Sequence, residues 1–146
     1  MQPFLKNYIL VWSIFVSAVV LSVAGIVANL YERLWWFDEV THFYSFFAIS
    51  LLLGTLLYGT TLTGRLQHPL LLLLTVAALG LAVGALWEIG EWIYDLLVAG
   101  NMIQDKRDTM TDLVLDAGGA LAAGALVLRF IGPADKAASG RRTFSP

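Results

Sequence analysis

Ten of the eleven Asp and Glu residues in this 146-residue chain fall in three short stretches, and within each they recur at helical spacing. Asp38 and His42 are i, i+4. Glu88, Glu91 and Asp95 follow i, i+3, i+7, in a row that runs back through Gly84 and Gly80. Asp108, Asp112 and Asp116 step by four. Each set therefore lines one face of its own helix. Carboxylates gathered beside an imidazole are ligands for a divalent cation: oxygen donors favour Mg²⁺, Mn²⁺ or Ca²⁺, and His42 also admits Zn²⁺ or Fe²⁺. The expected metal ligands are Glu88, Glu91, Asp95, Asp112, Asp116 and His42, with Asp38 orienting His42 as general base or ligand. Arg33, Lys106 and Arg107 are the basic residues near enough in sequence to receive phosphate charge. Neither helix carries the Glu-x-x-His pair of a ferritin-like di-iron site. The chain has no cysteine, and Ser45 and Thr41 stand in no nucleophile context, so covalent catalysis has no candidate.

The elements that must position these residues follow from composition. Hydrophobic residues make up 58% and charged residues 14%, with a mean hydropathy of +0.74, against about 25% charged in soluble domains. So small a globule cannot hide that much apolar surface, and the chain is read as a membrane protein. A net charge of −2 and the lack of a basic patch speak against nucleic acid. The fold expected is all-α and polytopic, four transmembrane helices in one bundle over residues 1–132. Their limits are about 8–30, 39–59, 70–98 and 108–131, joined in part by a Thr60–Pro69 loop and followed by a mobile tail, residues 133–146. The uncharged run Tyr8–Leu30 is longer than the h-region of a signal peptide and is expected to be a retained helix. The fourth span is unusual, since only 12 uncharged residues, Ala117–Leu128, separate Asp116 from Arg129. It crosses about 30 Å of hydrocarbon only if Asp112 and Asp116 lie within the bundle. Gly118, Gly119, Ala120, Ala122, Ala123 and Gly124 supply the small residues on which membrane helices pack.

Four spans put both termini and the Thr60–Pro69 loop on one side, with Lys6, Arg65, Arg129, Lys136, Arg141 and Arg142; the other side has Arg33, Lys106 and Arg107. The positive-inside rule then makes both termini cytoplasmic in a bacterial inner membrane and turns the acidic stretches outward. Glu88 stands roughly 28 Å along its helix from Pro69, and Asp116 roughly 22 Å from Ile131 at the same boundary. The three polar faces thus reach one level and should converge. Converging carboxylates with so few basic partners must take up protons or hold a cation. Solvation and capping account for others: Glu32, Glu39, Asp105 and Asp108 read as loop acids or helix N-caps, Asp108 especially. Trp35, Trp36, Trp87, Trp92 and Tyr94 read as an interfacial aromatic belt.

The order Asp-x-x-x-His-Phe (Asp38, His42, Phe43), Glu-x-x-Glu (Glu88, Glu91) and Asp-x-x-x-Asp-x-x-Gly (Asp112, Asp116, Gly119) resembles the VanZ-like group of small bacterial membrane proteins. Asp108-Thr109 ahead of Asp112 is similar to the YjdF-like relatives. The likeness covers roughly Asp38 to Gly124, and Glu91 and Asp116 replace the Gln and Asn frequent in VanZ-like chains, giving a more acidic site. It implies a shared polar site and a role in the cell envelope.

Three functions follow. The first is a metal-dependent hydrolase or transferase acting on lipid or lipid-linked phosphate, its divalent ion polarising the phosphoryl group. The second is cation or proton translocation or sensing through the acids. The third is an accessory subunit of a larger membrane complex, with a structural metal. Partners beyond the bilayer are accordingly a lipid-linked phosphate or another membrane protein.

Overall fold

The computed structural model describes residues 8–60, 68–98, 100, 102–103 and 105–139. Five helices appear among them: α1 (Tyr8–Val27), the single turn α2 (Leu30–Arg33), α3 (Phe37–Thr60), α4 (Pro69–Val98) and α5 (Lys106–Ser139). No strand is found among the described residues. Four of the helices are long and apolar enough to cross a membrane, and they pack together as one all-α bundle embedded in the bilayer.

Helix α1 stops where Asn29 adopts the left-handed conformation (φ 54°, ψ 41°), which Asn tolerates better than other side chains with a Cβ. Its amide also donates to Glu32 Oε2 at 3.0 Å, starting the α2 turn. The first helix is thus three residues shorter than the uncharged run, because the turn and not the hydropathy ends it. Along α1 the buried residues are Val11, Ala18 and Gly25, one every seven positions, a narrow seam that faces a single neighbour. That neighbour is α3. Gly25 leaves room for the Phe37 ring, which a methyl group there would strike. Phe37 in turn meets Tyr31 edge-on at 5.0 Å, and the aromatic pair fixes where α3 begins. Ser17 Oγ and Tyr44 Oη share a hydrogen bond of 2.7 Å between the two helices, a contact suited to surroundings without competing water. Val16, Val20, Val23 and Ile26 are exposed, as lipid-facing side chains should be.

Helix α5 packs against both α3 and α4, and α3 also touches α4. Small residues set these distances. Gly119 lies directly on the α3 backbone at Phe43 and Phe47, where any side chain would collide with the Phe43 carbonyl. Away from the acidic end the three helices, with Val11, close on an apolar cluster of Leu51, Leu52, Leu72, Val76, Ala123 and Val127.

Helix α5 departs from the expected limits at both ends. It starts at Lys106 because Asp105, not Asp108, is the cap: Asp105 Oδ1 accepts from the backbone N–H of Arg107 at 2.6 Å and of Asp108 at 3.1 Å. It continues through Pro133 to Ser139, so the first seven residues of the expected tail are helical. The rest of that tail, with Arg141 and Arg142, lies outside the described residues, as do Lys6 and most of the Thr60–Pro69 loop with Arg65.

Candidate functional site

The site forms where α3, α4 and α5 meet, and each helix brings polar groups on one face. Helix α3 contributes Asp38 and, one turn on, His42. Helix α4 contributes Glu88, two turns beyond Gly80 and one beyond Gly84 on the buried stripe that begins at Leu72 and Val76. Helix α5 contributes Asp112 and Asp116. The i, i+4 spacing that marks these residues in the sequence is what turns them to a common axis.

His42 is the centre. It is 6% exposed, and its ring stacks on Phe46 with centroids 5.9 Å apart. Nδ1 lies 3.0 Å from Asp116 Oδ1, while Nε2 is 3.7 Å from Asp38 Oδ1. One imidazole therefore faces a carboxylate on its own helix and one on α5. Two ligand sets overlap at this ring: Asp38, His42 and Asp112, and His42, Glu88 and Asp116, each with its donor atoms within 4.8 Å of one another.

Polar accounting at these sets does not close. Glu88 is 6% exposed and Asp116 0%. Both oxygens of Glu88 and Oδ2 of Asp116 are buried and have no hydrogen-bond partner among the described residues. No Lys or Arg among the described residues pairs with Asp38, Glu88, Asp112 or Asp116; the ion pairs at the site are those with His42. An uncompensated buried carboxylate costs several kcal/mol or more, so an arrangement of this kind calls for protons or a cation. The donor set of oxygens with one imidazole fits a divalent metal ion.

Space for the carboxylates is built in. Asp116 fills the notch over Gly84, where a methyl group would meet its Oδ2, and Ser50 Oγ occupies the same kind of notch over Gly80. Gly80 and Gly84 extend the Glu88 row in the sequence, and this is their use: small residues that admit polar groups from the facing helices. Ser50 is itself a fully buried hydroxyl without a hydrogen-bond partner among the described residues, a feature with no sequence signal. The place of Asp38 within a ligand set, beyond orienting His42, emerges only when α5 brings Asp112 beside it.

Two of the expected ligands, Asp95 and Glu91, fall outside the two sets and accept other hydrogen bonds. Asp95 accepts the backbone N–H groups of Met102 and Ile103 at 2.8 and 2.9 Å, so both its oxygens tie down the α4–α5 connection. Glu91 accepts the Trp87 indole N–H at 2.8 Å and belongs to neither ligand set. Arg33, Lys106 and Arg107 are exposed at the same end of the bundle without an ion pair to either set. Trp35, Trp36, Trp87, Trp92 and Tyr94 are exposed around that end as well.

Fold and site together define a small polytopic membrane protein with a buried carboxylate–histidine centre near one end of its bundle. The family described as "Predicted membrane protein (DUF2238)" matches residues 5–132, and the chain belongs to it. An uncharacterized protein of Thermotoga maritima is 32% identical over 110 residues, 74% of this chain and 56% of that protein. The chain thus spans little more than half the length of that relative. No solved structure matches the chain.

Proposed function

We propose that this protein is a metal-dependent hydrolase or transferase acting on a lipid or lipid-linked phosphate in the cell envelope. One observation carries the reading: Glu88, a carboxylate 94% removed from solvent and without a basic side chain paired to it among the described residues, stands within ligand distance of His42 and Asp116. Such a group is too costly to keep for packing alone. A divalent ion supplies charge to polarise a phosphoryl oxygen and lower the pKa of a bound water. Glu88 and Asp116 hold it beside His42, or Asp112 and Asp38 in the other set, and His42, oriented by Asp38, acts as ligand or as the base that takes the water proton. Arg33, Lys106 and Arg107, at the rim, attract the anionic headgroup.

The same reading sets the protein in the bacterial inner membrane with both termini cytoplasmic, so that the site faces the outer leaflet. It also includes kinship with the VanZ-like and YjdF-like proteins, supported by the order and spacing of the three motifs. Against a transmembrane ion path stands the apolar cluster around Leu51, Val76 and Val127, roughly 14–18 Å along their helices from His42, Glu88 and Asp116.

The test is metal content by mass spectrometry on detergent-purified protein, beside a variant with both Glu88 and Asp112 changed to alanine, followed by turnover of polyprenyl and glycerophospholipid phosphates. Stoichiometric metal lost in the variant, with metal-dependent phosphate release, is expected. Protein that binds no divalent ion and turns over none of these substrates overturns the proposal.

A further inference from the structure

The set with Glu88 and Asp116 contains buried carboxylate oxygens that have no partner among the described residues, and the two sets together hold more negative charge than one divalent ion balances. Asp116 faces His42 Nδ1 and groups with Glu88, whereas Asp38 faces Nε2 and groups with Asp112. Asp112 is 4% exposed and makes no hydrogen bond to a described residue. Four carboxylates ionised at a membrane-embedded site carry four negative charges. A single divalent cation offsets two of them, and balance then requires the other two carboxylates to be protonated; two cations offset all four, keep every carboxylate available as an ionised ligand and leave neutral imidazole as a ligand. In a medium that penalises net charge as steeply as a helix bundle in lipid, the balanced state is the one favoured.

We propose that the centre binds two divalent cations, on either side of His42, that differ in openness. This rests on the metal reading above and deepens it. The inner ion is enclosed by Glu88, Asp116 and the His42 Nδ1 atom, all from buried residues. His42 Nε2–H then points toward Asp38, 3.7 Å away, the arrangement in which a carboxylate fixes the tautomer of a ligating histidine. The outer ion sits between Asp38 and Asp112. Two carboxylates leave most of its coordination positions to water and to a phosphate oxygen, the manner in which Mg²⁺ and Mn²⁺ are held at phosphoryl-transfer sites. The Asp38 side chain is 29% exposed, so this position opens toward the membrane surface, where Lys106 and Arg107 begin α5. The inner ion is thus structural and electrostatic, and the outer one is where a phosphate anion binds.

Mn²⁺ is the probe, because it reports both number and proximity. The full chain in detergent, stripped with chelator and titrated with Mn²⁺, is expected to bind two equivalents and to give the broadened electron paramagnetic resonance spectrum of spin-coupled ions. Glu88→Gln and Asp38→Asn should each bind one equivalent, uncoupled, and inorganic phosphate should tighten Mn²⁺ binding in Glu88→Gln but not in Asp38→Asn. Saturation of the unaltered protein at one equivalent overturns the two-ion proposal and leaves the metal-dependent reading standing. Two equivalents with an uncoupled spectrum also overturn it, because the second ion then lies elsewhere. No binding at all removes both. The wild-type measurements need no variant to fold.

Discussion

The same three helices build two unlike halves. Away from the site, α3, α4 and α5 meet through Leu51, Leu52, Leu72, Val76, Ala123 and Val127, and the buried hydroxyl of Thr55 is returned to the Leu51 carbonyl at 2.7 Å. Toward the other end the same interfaces enclose His42, Glu88, Asp112 and Asp116, with carboxylate oxygens left unpaired. Glycines bring the helices into close contact in both halves, Gly54 and Gly124 in the first and Gly84 and Gly119 in the second, so close packing does not require the polar residues. Dispersion and close fit hold the first half. The second encloses buried charge, at a cost to stability. The contrast marks the end of the bundle at which the proposed site lies more plainly than any single motif does.

The largest test of that contrast is His42→Ala. It removes the one side chain common to both ligand sets, so divalent binding should weaken by about 100-fold or more and any phosphate turnover by at least about 10³-fold. Isothermal titration with Mn²⁺ and a phosphate-release assay read both. Thermal stability without metal should fall, since the substitution leaves the fully buried Asp116 without its ion-pair partner and opens a cavity. A variant that binds metal normally would dissolve the comparison.

Leu51→Ala is the mirror experiment. Leu51 is fully buried in the apolar half, and the lost packing should cost about 2–5 kcal/mol. The expected outcome is a lower unfolding midpoint in detergent with metal stoichiometry unchanged. Loss of metal would mean that the two halves are coupled.

Much of this was legible in the residues. Four spans follow from uncharged stretches, and the convergence of Asp38, His42, Glu88, Asp112 and Asp116 follows from helical spacing and matched depth. Periodicity specifies a face, but it does not specify a partner. Asp95 lies on the Glu88 face two turns further out, and nothing in the i, i+7 spacing reveals that Met102 and Ile103 fold back to take its oxygens. Asp105 and Asp108 are both plausible caps on paper, and only the N–H groups of Arg107 and Asp108 decide for Asp105. The Asp38–Asp112 pairing depends on the rotation of α5 against α3, which Gly119 sets by admitting the α3 backbone.

Gly84 sharpens the comparison at intermediate size. A methyl group there meets the Asp116 carboxylate, whereas Gly90, on the same helix, has open space beside it. Both substitutions to alanine favour the helix by about 0.5–1 kcal/mol. Gly84→Ala should nonetheless weaken divalent binding by about 10–100-fold, as displacement of a ligand-supporting group does elsewhere, and Gly90→Ala should leave it unaltered. Equal affinities in the two variants would show that Asp116 has no part in holding the ion.

The smallest effect belongs to Asp95, and it separates a structural acid from a ligand. Asp95 accepts two backbone N–H groups of the α4–α5 connection, each charge-assisted hydrogen bond being worth about 1.5–3 kcal/mol at most in the interior and less where water competes. The acceptor here is partly exposed, and Asp95→Asn keeps one oxygen that still accepts. A loss of about 1 kcal/mol is therefore expected, seen as a small drop in unfolding midpoint and as faster amide exchange at Met102 and Ile103. Divalent stoichiometry and affinity should not move, because both oxygens are already committed to the connection. If Asp95→Asn instead lowered the number of bound ions, the boundary of the site would have to be redrawn two turns outward along α4, and the division between an acidic centre and its structural surroundings would fail at that point.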